Sequence, residues 1–194
     1  MDLFSRLVAW VAVLSWPVIP LFWIPLHLLP SFAKRLGWAY YLLTFGLWLL
    51  LADLFWATRL ATLWAPFSFP VILKVVGGLG VLAGALLQGL CALWLRGQIV
   101  GRGILNPRPE DRLVTQGPFR YLRHPTYLAH ALFFWGAFFF SGYPTVALVA
   151  LVDLILTWLV IVPREERELE ERFGEAWRDY TRRTPRVFPR WRSS

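Results

Sequence analysis

Cysteine is almost missing from this chain: Cys91 is the only one, and it lies inside an apolar run. One thiol excludes an internal disulfide and any thiolate metal site of the usual paired spacing. It reads instead as a small buried side chain. Histidine is scarce too, with His27, His124 and His130 the whole supply. None stands four residues from another, and no H-E-x-x-H run occurs, so no metal is expected. Charge is short as well. Asp, Glu, Lys and Arg make up 16% of the 194 residues, against about 25% in soluble domains. No basic stretch precedes the first apolar run and no clear cleavage site follows it, so the N-terminus does not read as a signal peptide.

What fills the space is hydrophobic residues, 57% of the chain, with a mean hydropathy of +0.51. They cluster in runs long enough to cross a bilayer, which needs about 20 apolar residues, or fewer where an end is buried in protein. Five spans are expected, near 7–29, 36–58, 71–95, 126–140 and 144–162. The first is interrupted by Pro17, Pro20 and Pro25, and the last two are joined only by SGYP (141–144). The fold class is therefore all-α integral membrane, about five transmembrane helices, with spans four and five as a hairpin.

The net charge of +8 could suggest nucleic acid, but its distribution follows membrane topology instead. With the N-terminus outside, all of the 20 basic residues but Arg6, Arg59 and Lys74 fall on the cytoplasmic side. The expected localisation is an integral membrane protein, N-terminus out and C-terminus cytoplasmic, in the inner membrane if bacterial. Both loop 96–125 and tail 163–194 then lie on one face, brought together by the hairpin. The tail reads as an amphipathic helix from Pro163, with Leu169, Phe173, Trp177 and Tyr180 on one stripe. It would lie along the interface or pack under the loop. Gly174 is placed to break it, and PRVFP (185–189) to end it.

Some motifs fail in context. Gly78, Gly80 and Ala83 fit a G-x-G-x-x-A dinucleotide fingerprint but sit inside a span with no preceding strand. Gly80 and Gly84 form a G-x-x-x-G pair suited to close helix packing. Asp53, Gln88 and Asp153 are polar residues within spans and should face the bundle or a polar cavity.

GPFRYLRHPTYLAH (117–130) carries the chemistry. Arg120 and Arg123 can hold anionic groups. Pro125 suits a first helical turn, whose amides lack helical partners and can meet an anion. Tyr127 and His130 share a helix face. Across the hairpin stand Glu165 and Glu166. Cations, free amides, an aromatic ring and carboxylates around one membrane-level cavity suit a zwitterionic, positively charged ligand with an aromatic base.

This run resembles the G-P-[YF]-R-x-x-R-H-P-x-Y-x-G segment of the integral-membrane methyltransferases, which include isoprenylcysteine carboxyl methyltransferases and phospholipid methyltransferases. VPREERELEERFGEAWRDYTRRTPRVFP is similar to their E-E-x-x-L-x-x-x-[FY]-G-x-x-[YW]-x-x-Y block. The match covers about 97–190. It implies S-adenosylmethionine as cofactor, bound between loop and tail, and a lipid or lipophilic acceptor entering from the bilayer. It divides the chain into a three-span membrane region, 1–96, and a catalytic region, 97–194.

On this resemblance His124, Glu165 and Glu166 are candidates for catalysis. Arg123, His124, Pro125, Tyr127, His130, Glu165 and Glu166 are candidates for holding the cofactor, with Glu166 first for its ammonium. Arg120, Asp153 and Arg164 are candidates for the acceptor. Two departures stand out: Ala129 replaces a glycine after the tyrosine, and Ile161 stands where prenylcysteine carboxyl methyltransferases tend to carry arginine. Phospholipid amine methylation is therefore favoured over a carboxyl acceptor. A non-catalytic scaffold and a small transporter are the rivals from other classes.

Overall fold

A computed structural model describes residues 3–96, 98, 101–108 and 111–187. Helix α1 (Leu3–Ser15) opens the chain. Pro17, Pro20 and Pro25 lack the N–H a straight helix uses. The first span accordingly bends through a π turn at Ile19–Trp23 into α2 (Ile24–Leu28). Then come α3 (Pro30–Leu36) and α4 (Ala39–Ala57). A 3-10 turn at Leu60–Thr62 and an extended stretch lead to α5 (Val71–Leu95). The next loop holds the short α6 (Arg102–Leu105) and a 3-10 turn at Gly117–Arg120. Helices α7 (Pro125–Ser141) and α8 (Pro144–Leu156) form the expected hairpin. Its tight reversal uses Gly142 at φ +77°, a left-handed conformation open to glycine.

Helix α8 continues through a π turn at Thr157–Ile161 into α9 (Val162–Phe173), so the tail helix grows directly out of the fifth span. Gly174, at φ +52°, breaks it as expected, and α10 (Glu175–Arg183) follows. Of PRVFP, residues 185–187 are described, while Phe188 and Pro189 lie outside the described residues. Among the described residues, four helical stretches are long and apolar enough to cross a membrane: Leu3–Leu28, Ala39–Ala57, Val71–Leu95 and Pro144–Phe173. Helix α7, at 17 residues, is the shorter remaining expected span.

Helix α7 is the centre of the bundle, packed against α1, α5 and α8. Small residues let the backbones approach. A methyl group added at Gly84 would stand 2.7 Å from the Ala129 carbonyl oxygen, and one at Gly136 would stand 2.7 Å from that of Gly77. The G-x-x-x-G reading thus holds, and the dinucleotide fingerprint is helix interior. Ala9, Ala12 and Val13 of α1, Phe134 and Ala137 of α7, and Val146 and Ala150 of α8 complete the main core.

The polar residues within spans divide. Asp153 is buried, and Gln88 is partly buried and lines a cavity. Asp53 corrects the expectation, for it is exposed. Helix α4 sits at the edge of the bundle, with Tyr40 and Thr44 as its buried residues. Asp53 is four residues, about 6 Å, from the helix end, where a carboxylate can reach water without entering the core.

Candidate active site

A cavity of about 620 Å³ lies where the loop and tail meet the bundle, within the usual range of small-molecule sites, roughly 300–1,000 Å³. Its acidic wall is set by helical spacing. Glu165, Glu168, Leu169, Arg172 and Phe173 line it, the i, i+3, i+4, i+7, i+8 face of one helix. The stripe passes the Gly174 break into Trp177 and Tyr180, which also line it. Tyr180 donates to the Phe119 carbonyl at 2.6 Å, so the tail packs under the loop. Asp111 fixes the loop from the other side. It accepts from Arg102 Nη2 and the Arg108 amide, each at 2.9 Å, and stands 3.6 Å from Arg172.

Consecutive residues on a helix point about 100° apart, so Glu165 and Glu166 part company. Glu165 accepts from the Tyr127 hydroxyl at 2.9 Å and faces the cavity. Glu166 turns away from it, taking Arg123 Nη1 at 2.8 Å, His124 Nε2 at 3.0 Å and the Arg186 guanidinium. The tail also crosses the start of α7: the Arg123 and His124 amides donate to the carbonyls of Pro185 and Arg186 at 2.8 and 3.2 Å. Those two amides are thereby used. The first helical bond of α7 is Leu128 N–H to His124 O at 3.3 Å, which leaves Thr126 and Tyr127 amides ahead of it without helical partners.

His124 is 2% exposed and bridges both glutamates, with Nδ1 3.5 Å from Glu165. Burial, the largest influence, works against its charged form. The Glu165 and Glu166 carboxylates outweigh it, and His124 titrates above its ordinary value. A group raised on folding stabilises fully below its unfolded value, about 6.5, and that contribution is lost as pH rises through the folded one. The gap in unfolding temperature between wild type and His124→Gln in detergent should therefore be widest below about pH 6.5 and narrow as pH rises above it. A gap that widens with pH would contradict this charge assignment.

Of the residues singled out in the sequence, Arg123, His124, Tyr127, His130 and Glu165 line the cavity. Pro125 is buried at the start of α7. Glu166 and Asp153 stand behind the wall, holding Arg123 and His124 in one case and facing His130 in the other. Arg120 and Arg164 are exposed and outside it. Glu168 and His27 are among the cavity residues that were missed. Glu168 lies 2.9 Å from Nδ1 of His27, whose ring stacks on Trp23. The i, i+3 spacing from Glu165 was the available signal for Glu168. Nothing in the sequence tied His27, 141 positions away, to it.

The profile of the phospholipid methyltransferase family matches residues 74–176, more than half of the chain. The chain belongs to the phospholipid methyltransferase family. Its matched segment runs from α5 through α9 and so includes most of the cavity wall. Similar curated proteins are the nickel-cobalt-cadmium resistance protein NccN of Alcaligenes xylosoxydans xylosoxydans, 30% identical over 127 residues, 66% of this chain and 54% of that protein. The cobalt-zinc-cadmium resistance protein CzcN of Cupriavidus metallidurans is 31% identical over 119 residues, 61% of this chain and 50% of that protein. The chain spans about half the length of these relatives. No solved structure matches it. Membership of the phospholipid methyltransferase family points to a membrane methyltransferase.

Proposed function

We propose that this protein transfers a methyl group from S-adenosylmethionine to a lipid or lipophilic acceptor at the cytoplasmic face of a membrane. The observation that carries this reading is a cavity with both charged and apolar lining. Carboxylates Glu165 and Glu168 and the first-turn residues Thr126 and Tyr127 of α7 line it, together with apolar residues of the bent first span, α5 and α7.

The residues present fit the cofactor. Glu165 and Glu168 suit its ammonium, and the Thr126 and Tyr127 amides suit its carboxylate. Phe173 and Trp177 offer aromatic surface to its base. His27 Nε2 and Gln88 Oε1 belong to cavity-lining residues, and both atoms are buried without a hydrogen-bond partner. Unmet polar atoms of this kind are what a polar ligand satisfies. When bound, the cofactor supplies an electrophilic methyl group on a sulfonium. The protein's share is to orient donor and nucleophile in line and to exclude water.

The lipid-like acceptor follows from the apolar walls, and an amine headgroup is preferred because Ile161 leaves no arginine where a carboxylate would be steadied. The test is calorimetric binding of S-adenosylmethionine to purified protein in detergent, followed by transfer of labelled methyl to a total lipid extract. Binding with label in a lipid band supports the reading, and absence of binding overturns it in favour of a non-catalytic scaffold. The relatives' names add a question about metal tolerance. A cell carrying Glu165→Gln in place of wild type shows whether tolerance depends on the cavity.

A further inference from the structure

His130 at the cavity wall and Asp153 behind it form a pair of groups that the cofactor does not account for. His130 lines the cavity one turn beyond Tyr127 on the same face of α7. Behind it Asp153 reaches across from α8, its Oδ1 3.8 Å from His130 Nδ1. Asp153 is 3% exposed, and both of these atoms are buried without a hydrogen-bond partner. Thr157 Oγ1, one turn past Asp153 at the start of the π turn, is buried and unpartnered too. A carboxylate in the middle of a membrane helix is costly. Packing alone asks for no such group, and π turns concentrate at functional sites.

The 3.8 Å separation is too long for a hydrogen bond at rest. It is short enough to close once the imidazole carries charge. Nδ1 is the ring nitrogen turned to Asp153, which leaves Nε2 for the cavity. Facing the ring are Asp153 from α8 and, from its own helix, Tyr127, with Glu165 beyond the tyrosine hydroxyl. Helices α1 and α5, which also pack on α7, carry Arg6 and Lys74 toward the hairpin end of the bundle, and α5 brings Gln88 and Cys91 toward the loop end.

We infer that His130 accepts the proton an amine nucleophile must lose, with Asp153 positioned to steady the resulting imidazolium. This rests on the methyl-transfer function proposed above. The lipid ammonium gives one proton to His130 Nε2. Its freed lone pair forms the new nitrogen–carbon bond as the methyl group's bond to sulfur breaks, and that electron pair stays on sulfur. The products are a methylated ammonium, a neutral thioether and an imidazolium held by Asp153, so charge is conserved. A carboxylate acceptor needs no such base, and a nearby aspartate would repel it.

The experiment measures methyl transfer by the full-length protein in mixed micelles, with dioleoyl phosphatidylethanolamine or oleic acid as acceptor, from about pH 5.5 to about pH 9.5. Wild type, His130→Gln and Asp153→Asn are compared, with cofactor affinity measured on the same samples. His130→Asn serves as a second imidazole-free variant where the first fails to fold. His130→Gln should lower kcat toward the amine lipid about 10²- to 10⁴-fold, leave cofactor affinity near wild type, and change the pH profile, so that the loss narrows as alkaline pH supplies the free amine. Asp153→Asn should lower kcat with little change in KM. A His130→Gln protein with wild-type kcat and pH profile overturns the inference and leaves the methyltransferase function standing. Wild-type transfer to oleic acid in place of the amine lipid, or to neither lipid, also overturns it. A wild-type protein that binds no cofactor overturns both.

Discussion

Glu165→Gln is expected to weaken S-adenosylmethionine binding by about 30-fold or more, and to remove methyl transfer with it. The side chain faces the cavity, accepts from Tyr127 at 2.9 Å and lies beside His124. Glutamine keeps its shape and deletes its charge. A cofactor ammonium would then meet a neutral amide, and the buried His124 would lose one of its two anionic neighbours. Truncating one partner of a buried, hydrogen-bonded charge pair costs about 2–5 kcal/mol, roughly 30- to 4,000-fold in affinity. Glu166→Gln makes the contrast. Its carboxylate holds Arg123, His124 and Arg186 behind the cavity wall. The expected loss there is chiefly thermal stability and the hold of the tail on α7, with a smaller loss of affinity. Calorimetry and unfolding temperature on the two variants decide the matter. Wild-type affinity in Glu165→Gln together with lost binding in Glu166→Gln would reverse the assignment of the two glutamates.

Gly136→Leu is expected to be the most damaging single change outside the cavity. A side chain there would enter the α5 backbone, with its first carbon 2.6 Å from the Val81 nitrogen and 2.7 Å from the Gly77 carbonyl oxygen. These are backbone atoms of a helix, so no side chain can swing aside. The helices must separate, which opens the small-residue seam that membrane helices use in place of a hydrophobic drive. Overpacking costs about 1–3 kcal/mol and more where the backbone has to shift. A cost at or above the top of that range is expected here, read as a large fall in unfolding temperature and loss of monodisperse protein in detergent. Gly89→Leu is the control. It lies on the same α5 helix with nothing within 4 Å of an added carbon, so its effect should stay within about 0.5 kcal/mol. Equal behaviour of the two variants would show that the α5–α7 seam is not what holds the bundle.

The sequence by itself determined the class of this protein. Apolar runs of bilayer length are fixed by the solvent they must face, so the spans at 71–95 and 144–162 appear where composition puts them. Proline and glycine carry their backbone limits locally, which is why the bends after Ser15, the hairpin at Gly142 and the break at Gly174 were legible. The stripe of Leu169, Phe173, Trp177 and Tyr180 was legible for the same reason, since helical periodicity needs no partner to be read. The two motif blocks placed the chain in its family.

Tertiary structure alone decided which of these groups meet. Adjacent glutamates look like a pair in a sequence, but a helix turns them apart, and only the packed bundle shows which one faces the cavity. His27 finds Glu168 across 141 residues because the bent first span passes the foot of α9. Asp153 and Asp53 read alike as polar residues in spans. Their fates differ because α8 packs against the central helix while α4 sits at the edge. Contacts of this kind depend on the crossing of helices far apart in the chain, and no local pattern of residues encodes them.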